Sequence, residues 1–186
     1  MRTPWLLILC VCLTMSGSVQ GASDNPKRGG TLTIAIGRDI GLMHPLIGTT
    51  GNEQKTRELM FESLLAVDSS GKIQPNLAES WEISDKGKLY TFNLRRGVRF
   101  HNGQEMTGED VKYAVDYSLN PKNSAYGLNY LGLVERVELA GKYAVHFHLK
   151  KPGPLFLAAL ADIQAFSVVP KGSLSEGITK ISQFPP

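Results

Sequence analysis

Three histidines stand where imidazole chemistry could be considered. His101 sits in the sequence Phe-His-Asn-Gly at positions 100–103, with no second histidine or cysteine at a metal-ligand spacing. The Asn-Gly pair behind it is typical of a turn, so we interpret His101 as a turn residue. His146 and His148 lie two residues apart, so they share one face of an extended segment. Two imidazoles can bind a metal ion, but a complete site needs further ligands, and a solvated strand face is the favoured interpretation.

Acidic residues are the second group that could perform chemistry, as paired general acids and bases. The candidates are Glu79, Glu82, Asp85, Glu109 and Asp110. Their spacing matches a turn and a helix N-terminus, which accounts for them without catalysis. No serine lies in a Gly-X-Ser-X-Gly elbow, and no Gly-Lys-Ser/Thr sequence completes a phosphate loop. We therefore predict no enzyme activity, no resident metal and no cofactor.

The elements that would position these residues centre on the stretch 75–115. Tyr90, Phe92 and Leu94 alternate with polar residues, which predicts a half-buried strand after a turn at 85–88. Thr107 suits the N-cap of a following helix, with acidic residues in its first turn. The apolar stripe of that helix is predicted to be Val111, Ala114, Val115 and Leu119.

The flanking segments predict further strands and helices, and hence a mixed α/β chain. A first strand is expected at 31–36, followed by a long Gly-rich loop and a helix from Asn52 that gathers Leu64 and Leu65 on its apolar side. A hairpin is expected around Gly141-Lys142. The remaining predictions are a short helix or turn at 126–133, a helix at 154–161 and a strand at 166–169.

Residues 1–21 are typical of a secretory signal peptide. A basic residue precedes an apolar run that is too short to span a bilayer, and small residues favour cleavage after Gly21, with cleavage after Ala22 as the alternative. Cys10 and Cys12 both lie inside the run, so the mature chain would have no thiol chemistry. Lipidation of either cysteine is disfavoured because each sits in the middle of the run.

The charge of the mature chain is nearly balanced. Of the 20 lysines and arginines only Arg2 lies in the signal segment, so 19 basic side chains face 17 acidic ones. The basic residues do not form a clustered stripe in the sequence. Nucleic-acid and membrane-surface binding are therefore not indicated.

The order of motifs resembles a known family. LAESWE at 77–82, then LYTFNLRRGVRFHNG at 89–103, then the helix start TGEDV at 107–111 is similar to the bacterial extracellular solute-binding proteins of family 5. These are the oligopeptide, dipeptide and nickel receptors of ABC importers, and the resemblance runs from about Lys27 to the end. It implies a periplasmic-binding-protein-like type II clamp of the large three-domain kind, present here as its N-terminal part.

The resemblance also implies a domain division. Residues 22–67 would begin domain I with its first strand, ligand loop and first helix. Residues 68–182 would form domain II, and 183–186 would begin a return to domain I that stops short of its Gly-rich segment. We expect the chain to be an N-terminal fragment or a truncated gene product. Domain II, with two hairpins and two helices, is the part expected to fold alone.

Two loops would line the ligand cleft by this resemblance. The positions carried over are His44, Thr49, Thr50, Gly51, Asn52 and Gln54 in the first loop, and Tyr126, Asn129 and Tyr130 in the second. Short polar side chains and backbone amides suit hydrogen bonding to a peptide or other small polar solute. A solvated loop and core packing, respectively, are the alternatives for the two sets.

Three functional hypotheses follow. The first is the periplasmic solute-binding component of a peptide-type ABC transporter, monomeric when complete, whose partners are a small peptide and the permease subunits in the inner membrane. The second is a nickel, metal-chelate or haem carrier on the same frame. The third is a non-transport interaction domain or a non-functional fragment.

Overall fold

The computed structural model describes residues 29–35, 45–47, 51–123 and 125–174, so the predicted signal peptide, its cleavage site and residues 183–186 lie outside it. The chain divides after Ala35 into two units. In the first, residues 31–35 form no strand, and Leu32 and Ile34 are 83% and 64% exposed. The strand predicted at 31–36 is therefore wrong over its described residues, because an apolar alternation makes a strand only where a neighbouring strand completes its hydrogen bonds.

The centre of the second unit is a four-stranded antiparallel sheet. Its strands are β3 (Ala78–Ser84), β4 (Leu89–Leu94), β5 (Val134–Leu139) and β6 (Ala144–Leu149), in the spatial order β3-β4-β6-β5. The alternation predicted for β4 is confirmed, since Tyr90, Phe92 and Leu94 are all buried. Phe92 packs edge-on against Phe147 of β6, with ring centroids 5.3 Å apart. This face of the sheet is the core, and the other faces solvent.

Two tight turns set the register of the sheet. Asp85–Gly87 form a single 3₁₀ turn between β3 and β4, with φ of +45° at Asp85, +52° at Lys86 and +85° at Gly87. This left-handed run confirms the turn predicted at 85–88 and folds the chain back on itself. The hairpin predicted around Gly141-Lys142 is confirmed between β5 and β6.

The main helix is α2 (Gly108–Leu119), which packs on β5 and β6. Its N-cap is Thr107 as predicted, and the Thr107 amide and hydroxyl donate to Asp110 Oδ2 at 2.8 and 3.0 Å. The apolar stripe is buried at Val111, Ala114 and Val115. The helix therefore begins where a side chain satisfies its first free backbone groups.

The first helix is shorter than predicted. Helix α1 (Gly51–Arg57) ends before the apolar cluster, and Leu65 instead opens strand β1 (Leu65–Val67), which pairs with β2 (Ile73–Pro75). The Leu65 amide donates to the Leu160 carbonyl at 3.0 Å. A short apolar run fits helix and strand equally well, and the pairing with β2 together with this long-range hydrogen bond selects the extended form.

The C-terminal part is built from short pieces. Helices α3 (Leu128–Leu131) and α4 (Phe156–Ala159) lie where short helices were expected, although α4 is shorter than predicted. Residues 166–169 are buried but form no strand, so the strand predicted there is wrong. The Val168 amide donates to the Glu62 carbonyl at 3.0 Å and the Phe166 carbonyl accepts from the Ser63 hydroxyl, which are single hydrogen bonds and not a strand ladder. Among the described residues, no helix has both the length and the apolar character to cross a membrane.

Candidate functional site

The two predicted ligand loops meet through their backbones. The Tyr126 amide donates to the Leu46 carbonyl at 3.1 Å, which joins the second loop to the described part of the first. On the other side, Nη1 of Arg57 in α1 donates to the Pro45 carbonyl at 3.4 Å, and the Arg57 side chain is completely buried. A buried guanidinium and a main-chain bond thus place residues 45–47 between α1 and α3. The two stretches singled out from the sequence are neighbours in space.

Tyr126 and Tyr130 form a pair on the turn that carries α3. Their hydroxyl oxygens lie 3.1 Å apart and their ring centroids 5.3 Å apart. The hydrogen bond to Tyr126, with a smaller contribution from the negative charge of Asp162, raises the pKa of the Tyr130 hydroxyl. Tyr126 is half-buried, whereas Asn129 and Tyr130 are exposed. The pair offers aromatic faces and two hydroxyls to solvent, which suits a ligand with both apolar and amide groups.

The other residues carried over from the family are described only in part. Gln54 lies half-buried on α1, and Gly51 and Asn52 form the first turn of that helix. His44, Thr49 and Thr50 lie outside the described residues. Their contribution to a ligand site stays a prediction.

A groove that the sequence analysis did not anticipate has a volume of about 420 Å³. It opens where the segment after α1, the turn before α2 and residues 168–170 come together. The lining is mostly apolar, and includes Met60, Phe61, Val98, Phe100, Met106 and Val168. In the sequence, this groove is signalled only by the apolar pair Val98 and Phe100 between two turns. The other lining residues come from segments that are distant along the chain, so the sequence pattern does not bring them together. His101, predicted as a turn residue, lies at its rim and is exposed.

The carboxylates do not assemble into an acid–base pair in the part of the chain that is described. Asp110 is engaged by the N-cap of α2, and Glu109 beside it forms an exposed ion pair with Lys171 at 2.7 Å. Glu79 and Glu82 lie exposed on β3, and Asp85 lies in the turn that follows. Asp85, Glu109 and Asp110 thus agree with the interpretation of turn and cap residues, whereas Glu79 and Glu82 are strand residues.

His146 and His148 lie on the solvent face of β6, as the alternation predicts. The structure adds a third residue that the sequence analysis did not include. Glu138 of β5 is the register partner of His146, and its Oε2 lies 2.9 Å from His148 Nε2. One ligand atom from each of the three residues lies within 4.8 Å of the others. The signal for Glu138 was the hairpin register, which brings it opposite His146.

Similar proteins point to one family. The family model described as "Bacterial extracellular solute-binding proteins, family 5 Middle" matches residues 72–180. The chain is 27% identical over 140 residues to the glutathione-binding protein GsiB of Salmonella choleraesuis, which covers 75% of this chain and 27% of the relative. It is 36% identical over 109 residues to di/tripeptide-binding protein 2 of Pseudomonas aeruginosa, which covers 50% of this chain and 20% of the relative.

A solved structure agrees with the sequence relatives. NikZ from Campylobacter jejuni, in complex with Ni(L-His), superposes with a TM-score of 0.67 at 31% identity, over 74% of this chain and 27% of NikZ. The chain thus spans about a quarter of the length of the proteins it matches. Its mixed α/β fold is that of periplasmic binding proteins of type II. The match across the sheet, the capped helix and the segments behind them makes this chain a member of the bacterial extracellular solute-binding proteins, family 5.

Proposed function

We propose that this protein is exported to the periplasm and captures a small peptide for an ABC importer, whose permease subunits would receive it. The observation that carries the proposal is the family match over residues 72–180, together with relatives named for di/tripeptide and glutathione binding. Residues 68–182 would act as domain II of the clamp. No bond is made or broken in this activity.

The physical basis of capture would be hydrogen bonding and aromatic contact near α3. Tyr126 and Tyr130 present two hydroxyls and two ring faces on one side of the chain. A peptide offers amide groups to the former and apolar side chains to the latter. In the complete clamp, closure over the ligand would be favoured because the ligand gains contacts that the open form lacks.

Calorimetric titration of the exported protein tests this proposal. The ligands are a set of di-, tri- and pentapeptides, glutathione, and free amino acids as the control for non-specific binding. We expect heat of binding with at least one peptide class and none with the amino acids. Absence of binding to every peptide, in protein that melts cooperatively by circular dichroism, would contradict the peptide proposal. Absence of a cooperative transition would instead favour a fragment without independent function.

A second candidate function is transport of a metal chelate. It is favoured by the similarity to NikZ, which was solved in complex with Ni(L-His). The same titration with a preformed nickel–histidine complex separates the two candidates. Binding of the complex, with no response to any peptide, would favour the chelate carrier.

A further inference from the structure

Two imidazoles and one carboxylate converge on the outer face of the sheet, away from α3. His146 and His148 alternate with Val145, Phe147 and Leu149 along β6, which are buried in the core. Strand β6 is an inner strand of the sheet, flanked by β4 and β5. The backbone beneath the two imidazoles is therefore held by hydrogen bonds on both sides, and their spacing is set by the sheet.

The third group comes from the neighbouring strand. Glu138 and His146 are paired in the β5–β6 register, so their side chains leave the sheet side by side. Glu138 Oε2 lies 2.9 Å from His148 Nε2, and the two imidazole ring centroids are 6.4 Å apart. Ligand atoms of the three residues lie within 4.8 Å of one another. Ligand atoms around a tetrahedral zinc ion are about 3.4 Å apart, so rotation of the side chains alone would bring them to one ion.

A surface ion pair does not explain the whole cluster. Glu138 already has a cationic partner, because Arg136 Nε donates to its Oε1 at 2.7 Å and leaves Oε2 directed at His148. His146 takes no part in that pair, and it has no hydrogen-bonding partner among the described residues. An imidazole without a partner, beside a second imidazole and an oriented carboxylate, is an available metal ligand.

Arg136 has two opposing effects on such a site. Its hydrogen bond orients the carboxylate, as the outer partners of metal ligands commonly do. The positive charge of Arg136 nevertheless repels a cation. The site would therefore bind an ion for which imidazole nitrogen is a strong ligand, rather than one held by charge alone.

We propose that Glu138, His146 and His148 form a binding site for a divalent transition-metal ion, with zinc as the best match to two imidazoles and one carboxylate. The fourth position would be taken by water, since the site faces solvent. Calcium and magnesium, which require several oxygen ligands, would not bind there. This inference is independent of the proposed transport function, because it uses the face of the sheet and not the residues near α3.

The test is calorimetric titration of the untagged exported protein, which lacks Cys10 and Cys12, freed of metal by a chelator, with zinc chloride. We expect one zinc ion per chain and no competition by calcium chloride. His146→Ala and His148→Ala should each weaken binding at least about tenfold, and Glu138→Gln should weaken it in the same direction. His101→Ala is the matched control, because it also removes one exposed imidazole and should leave the affinity unchanged.

Melting curves of each variant verify that the fold is retained. Retention is expected because all three side chains project from the solvent-facing side of the sheet and not into the core. Proton resonances of the imidazoles in the unmodified chain provide a measurement that needs no variant: those of His146 and His148 should shift with zinc, and that of His101 should not. Absence of one-to-one zinc binding would overturn the proposal. So would unchanged binding in His146→Ala, or an equal loss in His101→Ala.

Discussion

The buried carboxylate of Asp110 connects the start of α2 to Lys171, 61 residues later in the chain. Its Oδ1 accepts a hydrogen bond from the Lys171 amide at 2.8 Å, while Oδ2 accepts from the Thr107 amide at 2.8 Å. The residue is only 3% exposed. One side chain thus caps the main helix and holds the C-terminal segment against it.

Removal of this carboxylate is expected to destabilise the protein. Asp110→Ala leaves the amides of Thr107 and Lys171 without their acceptor, and the loss of a cap plus a buried unpaired donor should lower the free energy of unfolding by about 2 to 4 kcal/mol. The neighbouring Glu109→Ala is the control. It removes the same charge from an exposed ion pair with Lys171, and should cost less than about 1 kcal/mol. Urea unfolding of both variants measures the difference, and equal losses would contradict this assignment.

Gly127 is expected to tolerate no side chain. Its backbone is in the ordinary right-handed helical region, so a larger residue meets no backbone strain, but a Cβ here would collide with the Ala165 carbonyl oxygen. Gly127→Ala should lower the free energy of unfolding by about 1 to 3 kcal/mol, because backbone must move to relieve the contact. Asn129→Ala, two residues later and exposed, should change it by less than about 0.5 kcal/mol. Thermal melting of the two variants provides the comparison, and a neutral Gly127→Ala would show that the segments separate freely.

Glu105 should make stability depend on pH in the acidic range. Lys142 Nζ and the Tyr143 hydroxyl each donate to its carboxylate at 2.9 Å, and these hydrogen bonds lower the pKa of Glu105 to about 2. Because the folded pKa lies below the unfolded value of about 4.3, the carboxylate stabilises the fold fully above that value. The contribution is lost as the pH falls toward 2.

Melting of the unmodified chain and of Glu105→Gln at several pH values tests this expectation. The difference in melting temperature should be largest near neutral pH and should shrink between pH values of about 4 and 2. Tyr143→Phe, which removes one of the two side-chain donors, should retain only part of the pH dependence. A difference that is the same at every pH would contradict the assignment.

The hydroxyl pair near α3 should affect both titration and ligand binding. Tyr126→Phe removes the partner that raises the pKa of Tyr130, so the pKa of Tyr130 should fall back toward its ordinary value. Titration of ¹³C-labelled tyrosine by NMR measures this change. In protein that binds a peptide, Tyr130→Phe should weaken binding about three- to tenfold if its hydroxyl contacts the ligand, since one hydrogen bond contributes about 1 kcal/mol. Unchanged affinity would exclude the hydroxyl from the site and leave only the ring.

Local sequence signals predicted the elements that their own residues complete. The N-cap at Thr107, the turn at 85–88 and the hairpin around Gly141-Lys142 were all predicted, because each depends on residues only a few positions apart. The alternation of β4 was predicted for the same reason, since the residues on its buried face are every second residue in the sequence and are apolar.

Elements that depend on distant partners could not be predicted in this way. Leu65 lies in a strand instead of a helix because β1 pairs with β2 on one side, while the Leu160 carbonyl, 95 positions away, accepts the Leu65 amide hydrogen. Residues 166–169 are buried, yet their backbone forms single hydrogen bonds to Glu62 and Asp162 and no strand ladder. In each case the local pattern allowed two conformations, and hydrogen bonds to residues outside the segment decided between them.

The candidate sites divide in the same way. Sequence patterns were enough to place His146 and His148 on one face of a strand and to single out Tyr126 and Tyr130, because periodicity and motif order act along the chain. The spatial neighbours of these residues were decided by the tertiary fold. Glu138 lies beside the two imidazoles because of the β5–β6 register, and Tyr126 contacts Leu46 through a hydrogen bond between distant segments. Chemistry between side chains requires proximity in space, and proximity in space is set by packing and strand pairing, which no local run of residues encodes.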